Sequence, residues 1–321
     1  MNINTEVWHQ HAWRNRLQAF ILLGFMGSFL ALLGWLLWGV FGLVMLVLFG
    51  LTTLILTPGI SPQLVMRMYR ASTIHPHQAP ELWHALRQLA ERAGLDYVPQ
   101  LFYVPSQVLN AFTTGNRGKA VIAITDGLLR NMDMRELAGV LAHEMSHIRN
   151  NDLWVMNLAD ILSRATRFLS LLGQFLLLVN LPLLLIGVVT INWFAIALLI
   201  IAPLLSALAQ LALARNREFD ADLNAVRLTG DPDGLANALY KLEHVQGGWM
   251  ERMFIPNRRI PDPSPLRTHP GTDERINRLM ALKPSLPPGR RLDMETVLDL
   301  MSHFDKPVRH SPRRHFTGLW Y

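Results

Sequence analysis

Two stretches of this chain carry no Asp, Glu, Lys or Arg. One lies between Arg16 and Arg67 and is 50 residues long; the other lies between Arg167 and Arg215 and is 47 residues long. A helix crossing a bilayer uses about 20 apolar residues, so each stretch holds two spans and a tight turn. The pattern predicts helices near 18–36 and 39–57, turning around Leu37 to Val40 and stopping at Pro58-Gly59, after which come Ser61-Pro62. In the second stretch it predicts helices near 168–188 and 193–213, with Asn180-Leu181-Pro182 and Ile191-Asn192-Trp193 as candidate breaks. Buried helices of globular proteins average about 10–14 residues, too few to account for such blocks. A secretory signal has a far shorter apolar core and a small-residue cleavage site, which does not follow here.

Outside these blocks the pattern changes to amphipathic periods. Pro80-Glu81 opens a helix to about Ala93, with Leu82, Leu86, Leu89 and Ala90 on one face. Leu101–Val104, Val108–Phe112 and Ala120–Ile124 read as short strands, the last two joined by a turn through Gly115-Asn116 and Gly118. Asp133 caps a helix from about Met134 to Arg149, and further helices are expected near 216–229, 233–245 and 272–282. The Pro-rich segment 255–270 reads as a long loop. Because each apolar block returns the chain to its starting side, the pieces 67–167 and 215–321 can meet in one domain.

Charge gives the orientation. Arg14, Arg16, Arg67 and Arg70 flank the first block, and Arg164, Arg167, Arg215 and Arg217 flank the second, while the predicted turns carry no charge. By the positive-inside rule both termini and the middle segment face the cytoplasm, and Trp35, Trp38 and Trp193 lie near the outer turns, where interfacial aromatics gather. Half of the 321 residues are hydrophobic and 17% are charged, against about 25% in soluble proteins. The net charge of +6 therefore points to a membrane surface, and no nucleic-acid-binding signature accompanies it. The absence of cysteine excludes a disulfide framework, Cys-ligated zinc and a thiol nucleophile.

The chemistry is concentrated in His143-Glu144-Met145-Ser146-His147, an HExxH motif. On a helix, positions i and i+4 share a face, so both imidazoles can ligate one metal. Zinc suits imidazole and tetrahedral geometry. Glu144, beside the first ligand, is placed to take a proton from the attacking water. A catalytic zinc needs a third protein ligand and an open position. The best candidate is Glu218, in a segment that follows the second apolar block directly; Asp222, one turn later, is placed to accept the other N–H of a ligand imidazole. The alternative is that Glu218 and Asp222 simply pair with Arg215 and other local charges.

Taken together, HEMSH, the downstream Arg215-x-x-Glu218-Phe219-x-Ala221-Asp222, the later His269-Pro270-Gly271-Thr272-Asp273-Glu274-Arg275-Ile276 and the upstream Asn110-Ala111-Phe112 resemble the HtpX-type membrane metallopeptidases, bacterial relatives of the CAAX-prenyl proteases. The resemblance covers roughly residues 18–282, with two predicted spans before HExxH and two between it and the Glu. It implies one zinc per chain, held by His143, His147 and Glu218, with Glu144 as general base and Asp222 behind the ligands. It places Asn110, Ala111 and Phe112 along the substrate cleft, where an extended peptide can add as a strand. It makes His269 a candidate oxyanion donor and Arg275 a candidate site-lining charge; the alternatives are a helix cap and a surface residue. The chain departs from the family pattern at Gly271, where relatives often carry a second proline, and in its longer basic tail.

The expected architecture is a membrane α-helical protein with four transmembrane helices as two hairpins, plus a mostly helical α+β zincin-like cytoplasmic protease domain with a small sheet. Its expected divisions are an N-terminal cytoplasmic segment 1–17, a first hairpin 18–57, a first protease part 58–167, a second hairpin 168–213, a second protease part 214–283 and a tail 284–321. The expected function is zinc-dependent hydrolysis of misfolded or damaged membrane proteins at the inner, cytoplasmic membrane, in protein quality control and stress response. Proteolysis within the bilayer is disfavoured, since Arg135, Glu136, Glu144, Arg149 and Asp152 crowd the HEMSH helix and charge at mid-membrane is costly. Prenyl-peptide processing calls for more spans, and a non-catalytic scaffold has no need of a glutamate at 144.

Overall fold

A computed structural model of the protein describes residues 5–56, 61–115, 118–187, 192–254 and 271–282. The Pro-rich segment 255–270, with His269, and the tail from 284 lie outside the described residues. Among the described residues the fold is mostly helical, with three long apolar helices and one small sheet.

The apolar helices are α1 (Thr5–Leu56), α6 (Asp152–Leu185) and α7 (Trp193–Thr229). Each is long and apolar enough to cross a membrane. Within α1 the backbone leaves helical geometry at Trp38 and at Gly39, whose φ is 61°, a conformation glycine adopts without strain. In a straight helix residues eight apart are about 12 Å from each other. Here Gly34 lies directly against the backbone of Gly42 and the side chain of Leu46, with no room for a β-carbon on either glycine. The backbone of α1 is therefore sharply bent at Trp38 and Gly39.

All three apolar helices run beyond the predicted spans. Hydropathy marks only the lipid-compatible part of a helix, whereas backbone hydrogen bonding continues into the polar domain. The predicted helices 193–213 and 216–229 are accordingly one helix, and Pro182 lies inside α6 and does not end it. The break comes later: Asn192 caps α7 by accepting from the backbone N–H groups of Phe194 (3.0 Å) and Ala195 (3.3 Å). Phe29, Leu30 and Leu33 of α1 pack with Ala165 and Leu169 of α6 and Leu199 and Ala202 of α7. Small polar contacts join the bundle, including Ser163 Oγ to Ser206 Oγ at 3.0 Å. Large apolar side chains such as Phe20, Phe41, Phe168, Phe175 and Phe194 face outward, as a lipid-facing surface requires.

The polar domain is built on a sheet of β1 (Ser72–Thr73), β2 (Gln100–Val104), β3 (Ala111–Thr114) and β4 (Val121–Thr125), in the order β1-β2-β4-β3. β4 is fully buried at the centre, parallel to β2 and antiparallel to β3, so β3 ends the sheet. Two short elements, α2 (Pro62–Met68) and α4 (Asp126–Asn131), flank it. The sheet's other face meets α3 (Pro80–Ala93) and α5 (Met134–Asn150) through a core that includes Leu86, Leu89, Leu101, Ile122, Ile124, Leu141 and Met145. Completing the domain are α8 (Pro232–Phe254) and α9 (Thr272–Ala281).

Candidate functional site

The site grows from α5. Asp133 and Glu136 form a reciprocal capping box at its start, which satisfies two otherwise orphaned N–H groups. Lys241 of α8 then pairs with Glu136 at 2.7 Å. The apolar stripe of Leu137, Leu141, Met145 and Ile148 is buried against the core, and this packing fixes the rotation of the helix. His143, Glu144 and His147 thus face α7, α9 and the end strand. The helix ends at Asn151, whose φ of 57° turns the chain sharply into α6; asparagine tolerates this left-handed conformation better than most residues. That turn brings Asp152, the first residue of α6, back beside His147.

Ligating atoms of His143, His147 and Glu218 all lie within 4.8 Å of one another. The two Nε2 atoms are 3.2 Å apart, and they stand 3.5 and 3.7 Å from the carboxylate oxygens of Glu218. Donors bound to a tetrahedral zinc at about 2.0–2.1 Å are about 3.3–3.5 Å from each other. Two imidazoles and one carboxylate at this spacing fit that ion. Each ring is held from behind: His143 Nδ1 by Asp222 at 3.0 Å and His147 Nδ1 by Asp152 at 2.9 Å. Both Nε2 atoms are thereby turned towards the common point, the arrangement by which outer carboxylates fix a ligand's tautomer and direction.

Arg275 of α9 closes the back of the site. It donates to both oxygens of Asp222, at 2.7 Å each, and its Nη1 lies 3.4 Å from Glu218. A planar guanidinium suits this two-point contact with a carboxylate. Burial would raise the Asp222 carboxyl, but Arg275 and His143 reverse this and hold it below the usual range. Burial would likewise lower His143, yet hydrogen bonds to Asp222 and Glu218 lift its imidazole to about 10. Nε2 ligates a metal only from the neutral ring, so metal binding at His143 is coupled to release of this proton.

Of the residues singled out from the sequence, the structure gathers His143, Glu144, His147, Glu218, Asp222 and Arg275 into one cluster; His269 lies outside the described residues. Asn110 immediately precedes β3, and its carbonyl accepts from the Thr125 N–H at 3.1 Å. Residues in an antiparallel pair alternate between bonded and non-bonded positions. With Asn110 bonded to Thr125, the main-chain groups of Ala111 and Thr113 face away from β4, where no further strand lies among the described residues. Phe112 is turned to the far side, where its ring meets Tyr69 of the α2 end at 5.0 Å between centroids.

Two residues at the site escape sequence reasoning. Asp152 stands five positions beyond His147, where a continuous helix would aim it elsewhere; only the turn at Asn151 brings it in. Thr113 donates from Oγ1 to Glu144 Oε2 at 2.7 Å, a contact between a strand and a helix 31 residues apart that no local pattern carries. A third feature ties the site to α1: Asn216, two residues before Glu218, donates to the Asn15 carbonyl at 2.6 Å.

The model of peptidase family M48 matches residues 76–283. A protease HtpX homolog from Desulfatibacillum aliphaticivorans is 33% identical over 288 residues, covering 84% of this chain and 90% of its own. Another, from Acaryochloris marina, is 35% identical over 303 residues, covering 85% and 96%. The crystal structure of S. mikatae Ste24p aligns with 84% of this chain and 66% of its own, at a TM-score of 0.48 and 21% identity.

Proposed function

The chain belongs to peptidase family M48, and from that premise we propose that it is a zinc endopeptidase of the inner membrane that cuts misfolded or damaged membrane proteins at the cytoplasmic face. It is a multi-pass membrane metalloprotease, with polypeptide substrates and a lipid bilayer as its setting. One observation carries the finer reading: three donors of zinc-compatible type and spacing converge beside Glu144.

His143, His147 and Glu218 would hold the ion, which when bound supplies a Lewis acid that polarises the scissile carbonyl and acidifies water. Glu144 accepts the proton of the attacking water and hands it to the leaving amine. Asp152 and Asp222 keep the imidazoles aimed, and Arg275 bridges Asp222 and Glu218, offsetting their like charge. The outward main-chain groups of Ala111 and Thr113 pair with an extended substrate, with Asn110 at the head of the strand. Pairing of this kind reads backbone more than side chains, which suits a quality-control substrate range. His269 remains a candidate donor to the oxyanion.

We place four spans in the membrane, the two arms of α1 together with the apolar parts of α6 and α7. The bend at Trp38 and Gly39 supports the first hairpin, and the Asn15–Asn216 contact supports a shared side for the start of α1 and the metal ligands. Arg14, Arg16, Arg215 and Arg217 make that side cytoplasmic.

Two measurements test these statements. Detergent-purified protein is expected to degrade an unfolded polypeptide, to stop when the metal is chelated, and to resume when zinc is returned; activity indifferent to chelation would sink the zinc reading. A reporter fused after Tyr321 is expected to be active only in its cytoplasmic form, and activity of a periplasm-dependent reporter there would overturn the topology.

A further inference from the structure

Thr113 occupies a position of double consequence. Its main-chain groups face away from β4, at the edge of the sheet among the described residues, and its hydroxyl donates to the Glu144 carboxylate at 2.7 Å. The strand is held in register by β4, with Thr113 opposite Ile122. Threonine is stiff at χ1, so a fixed strand presents the hydroxyl in a fixed direction. Glutamate is not stiff: its three side-chain torsions leave a carboxylate free to rotate unless something holds it. A hydrogen bond to an ionised acceptor is among the stronger kinds. A carboxylate has about four lone-pair sites, so this bond leaves the remaining ones to receive a proton.

From this geometry we infer that Thr113 is a positioning residue for the general base. It anchors one oxygen of Glu144 and thereby orients the other towards the attacking water, and it ties that orientation to the strand on which the substrate backbone lies. The inference rests on the reading of Glu144 as base. It adds that the edge strand contributes to turnover through a side chain as well as to binding through its backbone.

The test uses the full-length protein in detergent with zinc restored and a peptide that the wild type cuts. Thr113→Val keeps the shape and the β-branch but removes the donor. It is expected to lower kcat about tenfold, the order of one hydrogen bond to a charged group, with KM and zinc content as in the wild type. Thr113→Ser restores the donor and is expected to recover most of kcat. In a Glu144→Asp background the carboxylate sits one methylene back from the hydroxyl, so Thr113→Val is expected to cost nothing further. Should valine disturb the strand, Thr113→Ala gives the same comparison. An unchanged kcat in Thr113→Val, an equal loss in Thr113→Ser, a loss confined to KM, or a full tenfold loss in the Glu144→Asp background would each overturn the inference. Failure of the underlying reading looks different: Glu144→Gln would then retain cleavage, whatever Thr113 does.

Discussion

Glu144→Gln is expected to lower cleavage by about 10²–10⁴-fold, the range supplied by a positioned general acid–base group, while zinc content stays at the wild-type level. The substitution changes one atom. The amide has the shape of the carboxylate, and its oxygen still accepts from the Thr113 hydroxyl, so neither packing nor the end strand is disturbed. Glu144 is not among the three grouped ligand residues, so the ion keeps its donors. What is lost is the ability to take a proton from water. Measuring turnover and bound zinc on the same preparation separates this from unfolding. Retained turnover would remove Glu144 as the base, and lost zinc would move it into the ligand set.

Glu218→Ala is expected to leave the purified protein largely free of zinc after dialysis. Two imidazoles remain, and Arg275, whose Nη1 lies 3.4 Å from Glu218, is left facing the site without that carboxylate. A cation beside the vacated position opposes a divalent ion as well as failing to replace the donor. Loss of an outer partner alone typically costs 10–100-fold in metal affinity, so loss of a ligand beside a remaining guanidinium is expected to cost more than about a hundredfold. Zinc content by atomic absorption checks this directly. Full occupancy after dialysis would mean that another group completes the site.

Legibility followed the range of the interactions. The helix over Pro80–Ala93 is read closely because proline starts it and four apolar positions mark one face; the structure ends it at Gly94. The HEMSH helix is equally clear, for Asp133 and Glu136 are three residues apart and cap it locally. Glu218 and Asp222, which the structure brings beside the imidazoles, stand out in the sequence because a single turn separates them and they follow the second apolar block directly. Beyond this, local pattern fails for stated reasons. Hydropathy underestimates α6 and α7, whose polar ends carry the site. The strand read as Val108–Phe112 is shifted, and β3 spans Ala111–Thr114, because register is set by pairing with β4. β1 and α4 are too short for any period to emerge. Arg275 meets Asp222 across 53 residues, so its chemistry alone did not distinguish a site charge from a surface one.

The continuity of α7 from the bilayer into the site has a consequence for how the protein is made. His143 and His147 leave the ribosome first, Glu218 follows His147 by 71 residues, and Arg275 follows Glu218 by another 57. At roughly 5–20 residues per second, about 4–14 s pass between the second histidine and the third donor. During that interval the apolar lengths of α6 and α7 are made, and only the return of α7 brings Glu218 to the imidazoles. A nascent chain therefore holds two donors and no centre. The three-donor group is complete only once α7 has been made and has folded back onto α5.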